Sequence, residues 1–151
     1  MNVCKNLIFG FVFSLLIGGG GFAFAQKPAH ENRNQPVSAQ DVEILDKAAA
    51  LLSKESDWNR KDTRKCPADA TTLSLFCALQ KASVQVLGEY NHRRVALQEV
   101  RFSIEDVSGG RKFSHRLMDF NNLPETSFAD VKQVLALARV KVLARLKAKG
   151  H

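Results

Sequence analysis

SFADVKQVLALARVKVLARLKAK, residues 127–149, decides the fold class of this chain. Ser127 and Asp130 have the spacing of a capping box, with Asp in place of the usual Glu, so the segment has a marked helical start. Phe128, Val131, Leu135, Ala138, Val142 and Leu146 then recur every three or four residues, laying one apolar stripe along a long helix. Such a stripe needs other helices to bury it. Lys132, Arg139, Lys141, Arg145, Lys147 and Lys149 set six positive charges against the single acid Asp130. Part of that bias complements the helix macrodipole. The remainder makes Lys132, Arg139, Arg145 and Lys147 candidates for contact with an anionic surface.

The same signals recur upstream. Ser38 and Asp41 repeat the capping spacing, and Val37 is placed to staple onto Val42. Val42, Leu45, Ala49 and Leu52, widened by Ile44, Ala48 and Leu51, predict a helix over 39–56. Trp58 is expected to pack back over its end. Residues 59–70 hold Arg60, Lys61, Asp62, Arg64 and Lys65 and read as a solvated loop. A second helix is predicted over 70–88. Leu73, Phe76, Leu79 or Gln80, Ser83 and Leu87 share one face, Cys77 and Val84 lie beside them, and Gly88 is the stop.

Residues 92–107 fit two patterns. Ala96, Val100, Ile104 and Val107 follow the helical period, whereas Val100, Phe102 and Ile104 alternate like a strand leading into Ser108-Gly109-Gly110. Good helix formers at Arg93, Ala96, Leu97, Gln98 and Glu99 favour helix. Residues 111–122 are expected to be a compact connection turning Phe113, Leu117, Met118 and Phe120 inward, closed by Leu123-Pro124. The expected fold is mainly α, a compact bundle of about four helices with one disulfide, forming a single domain over 38–148. The alternative is α+β with a hairpin at 97–120.

The chain opens on Lys5, an apolar run from Leu7 to Ile17, and Ala23-Phe24-Ala25 ahead of Gln26. That order of zones is the pattern of a secretory signal peptide over 1–25, followed by a polar, flexible leader over 26–37. Glycines 18 to 21 interrupt the apolar run, which falls short of the roughly 20 residues of a membrane span. The expected location is the periplasm or the extracellular space. Removing 25 of 151 residues leaves 126, the size of one domain. One of the 22 basic residues leaves with the signal and none of the 15 acids does, so the mature charge is +6. A basic exported protein favours lipid headgroups, anionic polymers or acidic partners.

Cys4 leaves with the signal, and Cys66 and Cys77 remain, ten residues lying between them. An even pair in an oxidising compartment reads as a disulfide. Closing this loop contributes about 3 kcal/mol in the chain-entropy model. Redox pairs are spaced C-x-x-C, and a zinc site needs more ligands than the isolated His92 and His115 supply. No metal or cofactor is expected.

Several segments together resemble a small bacterial all-helical family known only as a domain of unknown function. They are an apolar first helix ending near Trp58, Phe76-Cys77-Ala78-Leu79, the run His115 to Asn122, and Thr126-Ser127-Phe128-Ala129-Asp130-Val131. The resemblance covers roughly residues 42–142. Gln80 stands where the family carries Gly after Cys-Ala-Leu, and Asn122 stands where it carries Asp. The resemblance implies a helical fold and no activity.

Candidate ligand-contacting residues are His115, Arg116, Asp119, Asn121 and Asn122, the densest polar cluster in an apolar segment. The alternative for Asn121 and Asn122 is structural, since Asn side chains bond nearby backbone and orient turns. His92-Arg93-Arg94 resembles a phosphate grip but also reads as solvated surface. No serine or cysteine sits in a nucleophile motif, and there is no phosphate loop or His-x-x-x-His pair. No catalytic residue is therefore assigned.

Three functions follow. The first is a non-catalytic, exported module binding a protein partner in the cell envelope, such as an inhibitor or immunity-type factor. The second is a peripheral binder of anionic envelope polymers or lipids through the basic C-terminal helix. The third is a small hydrolase using His115, Asp119 and Asn121. Nucleic acid is not an expected ligand. A contiguous apolar patch would favour the first, a flat basic face the second, and a concave pocket holding His115 the third.

Overall fold

The computed structural model describes residues 36–150. The signal expected at 1–25, and the leader up to residue 35, lie outside the described residues. Five α-helices follow in order: α1 (Ala39–Leu51), α2 (Leu75–Leu87), α3 (Val95–Val107), α4 (Arg116–Asn122) and α5 (Phe128–Lys149). A single 3-10 turn lies at Glu55–Asp57. No strand forms among the described residues, so the chain is mainly helical and the hairpin alternative is overturned.

The ambiguous segment is helix because of where it sits. All residues from Val95 to Val100 are buried, since α3 packs against α1, α4 and α5. A half-exposed hairpin strand would leave alternate residues in water. Gly109 and Gly110 take left-handed φ angles of 65° and 84°. The Gly110 N–H donates to the Glu105 carbonyl at 2.7 Å, so the glycines terminate α3 as a helix end instead of turning a hairpin.

Three boundaries differ from expectation for local reasons. α1 stops at Leu51 because the Asp57 carboxylate accepts from Ser53 Oγ at 2.8 Å and the Lys54 N–H at 3.2 Å, drawing the chain into the 3-10 turn. α2 starts only at Leu75. Before it, the Leu73 N–H donates to the Asp57 carbonyl at 2.8 Å, and the Asn59 N–H donates to the Leu73 carbonyl at 3.0 Å. Ser74 then caps the helix by accepting from the Cys77 N–H. The segment expected as a plain connection contains α4, whose first turn is closed by the Asp119 carboxylate accepting from the His115 N–H at 2.8 Å. Gly88, at φ 77°, ends α2 as expected.

The core joins Ile44, Leu45 and Ala48 of α1, Leu75, Ala78 and Leu79 of α2, and Ala96, Val100 and Ile104 of α3 to the stripe of α5. Each fully buried Val, Leu or Ile side chain contributes about 1.5–3 kcal/mol. On α5, Phe128, Val131, Leu135, Ala138 and Val142 are buried, and Leu146 is half-buried. Ser127 and Asp130 cap α5 reciprocally, with bonds of 2.8 and 3.2 Å between each side chain and the other's N–H. Cys66 and Cys77 form the disulfide, Cα to Cα 5.3 Å, which ties the loop after Trp58 onto α2.

Candidate functional site

The loop over 59–70 exposes Arg60, Lys61, Arg64 and Lys65, as expected of a solvated connection, while its backbone is pinned to the fold. The Asn122 side chain grips Asp62 at both ends of its backbone, accepting from its N–H at 2.7 Å and donating to its carbonyl at 2.9 Å. The Arg60 guanidinium donates to the carbonyls of Leu123, Pro124 and Thr126 and lies over the Trp58 ring. Asn121 is fully buried, its Oδ1 accepting from Trp58 Nε1 at 2.8 Å and the Leu75 N–H at 3.0 Å. Its amide nitrogen donates to the Asn59 carbonyl at 3.0 Å. These two asparagines therefore dock the loop onto the end of α4.

Asp62 is the buried exception in an otherwise largely exposed stretch. Its Oδ1 accepts from the Arg64 N–H at 2.6 Å. Arg64 has a φ of 61°, a left-handed backbone that an L-residue adopts only when its surroundings impose it. Asp62 on one side and the Cys66 staple on the other impose it here, and Arg64 is carried to the edge of a cleft.

That cleft has a volume of about 670 Å³ and lies among α2, α3 and α4. Phe76 and Tyr90 meet edge to face at 5.8 Å along one side of the lining, which also includes Phe113, Leu117 and Met118. Arg64, Arg101, Arg116, His92 and His115 bring positive or ionisable nitrogen into the same lining, which holds no carboxylate. Arg101 donates to the His92 carbonyl at 2.8 Å, fixing the α2–α3 connection across its base. Arg116 pairs with Glu105 at 3.2 Å from behind. Burial pushes the Tyr90 phenol above its ordinary pKa, and the charges of Arg101 and Arg64 pull against that rise.

The candidate ligand-contacting residues thus part company. His115 and Arg116 line the cleft, whereas Asp119 closes its own helix turn and Asn121 and Asn122 hold the loop. A concave pocket containing His115 is present, yet the proposed acid and amide partners of a hydrolase do not line it. Arg94 is also more than solvated surface: it donates to Ser38 Oγ and to both oxygens of the fully buried Asp41.

Along α5, Arg139 bonds Asp46 at 2.6 Å, Arg145 bonds the buried Glu99 at 2.8 Å, and Lys141 pairs with Asp106. Lys132 lies over the Phe128 ring at 5.2 Å, and Lys147 is exposed. Two of the four anionic-surface candidates, Arg139 and Arg145, therefore already face carboxylates of neighbouring helices. Val84 and Val140 are the large apolar side chains exposed among the described residues.

Sequence reasoning missed Arg64, Phe76, Tyr90 and Arg101 as site residues. The one available signal was Arg64 standing two positions from a stapled cysteine, where a charged side chain is held in place. Among the described residues, no group of three or more His, Cys, Asp or Glu side chains is placed to hold a metal ion.

A family model described as "Family of unknown function (DUF6197)" matches residues 36–140. Neither curated proteins nor solved structures provide a match to the chain. The aligned range takes in α1 to α4, the stapled loop and most of α5, and on that match the chain belongs to the DUF6197 family.

Proposed function

We propose that this protein is an exported, non-catalytic binding module that engages a protein partner in the cell envelope through the cleft among α2, α3 and α4. One observation carries the reading: Arg64, Arg101 and Arg116 converge with Phe76, Tyr90 and Phe113 in a lining without a carboxylate. Arginine and aromatic side chains are the types that concentrate binding energy at protein interfaces. The signal-like N-terminus and the disulfide pair support delivery to an oxidising space.

Capture from an envelope extract, followed by crosslinking, tests the reading. The oxidised wild-type protein is expected to retain one partner at physiological salt, and Arg64→Glu is expected to release it. Equal retention by both, or by neither, refutes the cleft as the binding surface. The mass of the native product tests export separately. A chain beginning at Gln26 with a closed disulfide supports it, and an intact Met1 with two free thiols overturns it.

A further inference from the structure

We propose that a second, smaller pocket, between the stapled loop and the residues leading into α2, holds a small carboxylic acid with a hydroxyl or ammonium group beside its carboxylate. The hydroxyl or ammonium donates to Asp62, and the carboxylate meets Lys61 and Lys65. The pocket has a volume of about 450 Å³. Arg64 lines the cleft described above, whereas its neighbours Asp62, Thr63 and Lys65 line this pocket. The site is thus separate from the surface of the binding-module reading.

Asp62 supplies the acceptor. It is 4% exposed, and its Oδ1 accepts from the Arg64 N–H at 2.6 Å. Its Oδ2 is buried and has no hydrogen-bond partner among the described residues. Buried polar atoms are seldom left so, and a bare carboxylate oxygen is among the costliest. Asn122 grips the Asp62 backbone on both sides, which pins the residue in place. Neither lysine of the pocket bonds Oδ2, so the chain itself leaves the oxygen unmet. A compact ammonium or hydroxyl satisfies it through a charge-assisted hydrogen bond.

The lysines supply the charge. Asp62 is the single acid of the lining. Lys61 and Lys65 are exposed, and no described carboxylate pairs with either. A plain cation meets two like charges here, and a plain anion leaves Asp62 unmet. A donor placed next to a carboxylate answers both. The lining has no aromatic ring on which a nucleobase could stack. Its apolar residues Pro67, Ala70 and Leu73 suit a short aliphatic chain.

The full mature chain, disulfide closed, is titrated with racemic lactate, racemic alanine, propionate and alaninamide. Backbone amide NMR shifts over residues 61–65 and 71–74 report binding. Propionate lacks the donor, and alaninamide lacks the carboxylate. Lactate or alanine is expected to bind at least about tenfold more tightly than either control, the scale of one lost charge-assisted bond. Binding by lactate alone assigns the ligand to hydroxy acids, and binding by alanine alone assigns it to amino acids. Asp62→Asn keeps an acceptor for the Arg64 N–H and sets an amide nitrogen in the place of Oδ2. In that variant, once folded, lactate and alanine should weaken about tenfold while propionate does not. Lys61→Gln together with Lys65→Gln alters exposed side chains alone and should weaken both acids about tenfold, a test that stands even where Asp62→Asn fails to fold.

Propionate binding within about twofold of the better of lactate and alanine overturns the proposal, because the lysines alone then account for the site. Full binding by the double lysine variant overturns it as well. Binding by none of the four also overturns it, and leaves Asp62 Oδ2 to a buried water.

Discussion

Arg94 and Asp41 clasp the first turns of α3 and α1 together. The guanidinium reaches Asp41 Oδ2 at 2.8 Å and Oδ1 at 3.2 Å, and Oδ1 also accepts the Ala96 N–H at 3.1 Å. The carboxylate is fully buried and caps α1 as well, accepting the Ser38 N–H at 2.9 Å. One side chain therefore caps the start of two helices.

Asp41→Asn removes the negative charge and leaves the partly buried guanidinium without its counterion. Breaking such a pair from one side costs about 3–5 kcal/mol. A urea titration is expected to show a large fall in midpoint with an unchanged slope. A loss below about 1 kcal/mol would mean that the clasp contributes no more than an exposed pair.

Asn121→Ala strands two buried donors, Trp58 Nε1 and the Leu75 N–H. Each unsatisfied group costs about 1–3 kcal/mol. Trp58 is the one tryptophan of the chain. Its emission should shift to the red in the folded variant as the loop loosens from α4. An unshifted spectrum at full stability would show that the loop is held without Asn121.

Arg145 and Arg139 should behave differently although both pair with acids from α5. Arg145 covers Glu99, whose side chain is 5% exposed, whereas Arg139 and Asp46 are 45% and 49% exposed. Arg145→Ala should cost about 2–4 kcal/mol by leaving a buried carboxylate unpaired. Arg139→Ala should cost less than about 1 kcal/mol, and that little should fade in high salt. Thermal melts of the two variants decide the matter.

Tyr90 is the only tyrosine, so its ionisation can be read from phenolate absorbance. Burial raises its pKa, meaning that the folded state holds the proton more tightly than the unfolded chain does. Its contribution to stability is complete below the unfolded value of about 10 and is lost as pH rises through the higher folded value. Arg64→Gly removes a charge that favours phenolate, so the folded value should climb further. A titration at or below the unfolded value would place the Tyr90 ring in water.

Much of the architecture could be read from short-range pattern. The stripe and capping residues of α5, the cap and stripe of α1, the stop at Gly88 and the cysteine pair all depend on neighbours within a turn or a loop. Where local hydrogen bonding competed with the pattern, as Asp57 does with the end of α1, the boundary moved. α4 was hidden for a related reason. Its seven residues are too few to display a period, and the Asp119 bond to the His115 N–H closes its first turn.

By itself, then, the sequence determined a mainly helical chain with one staple, because periodicity and capping act over three or four residues. Only the tertiary structure decided which polar residues support the fold and which line the cleft. Asn121 meets Trp58 across 63 positions, and Arg64, Tyr90, Arg101 and His115 come to one cleft from four separate segments. Such meetings are set by how helices pack and where a loop is pinned, and no spacing along the chain encodes them.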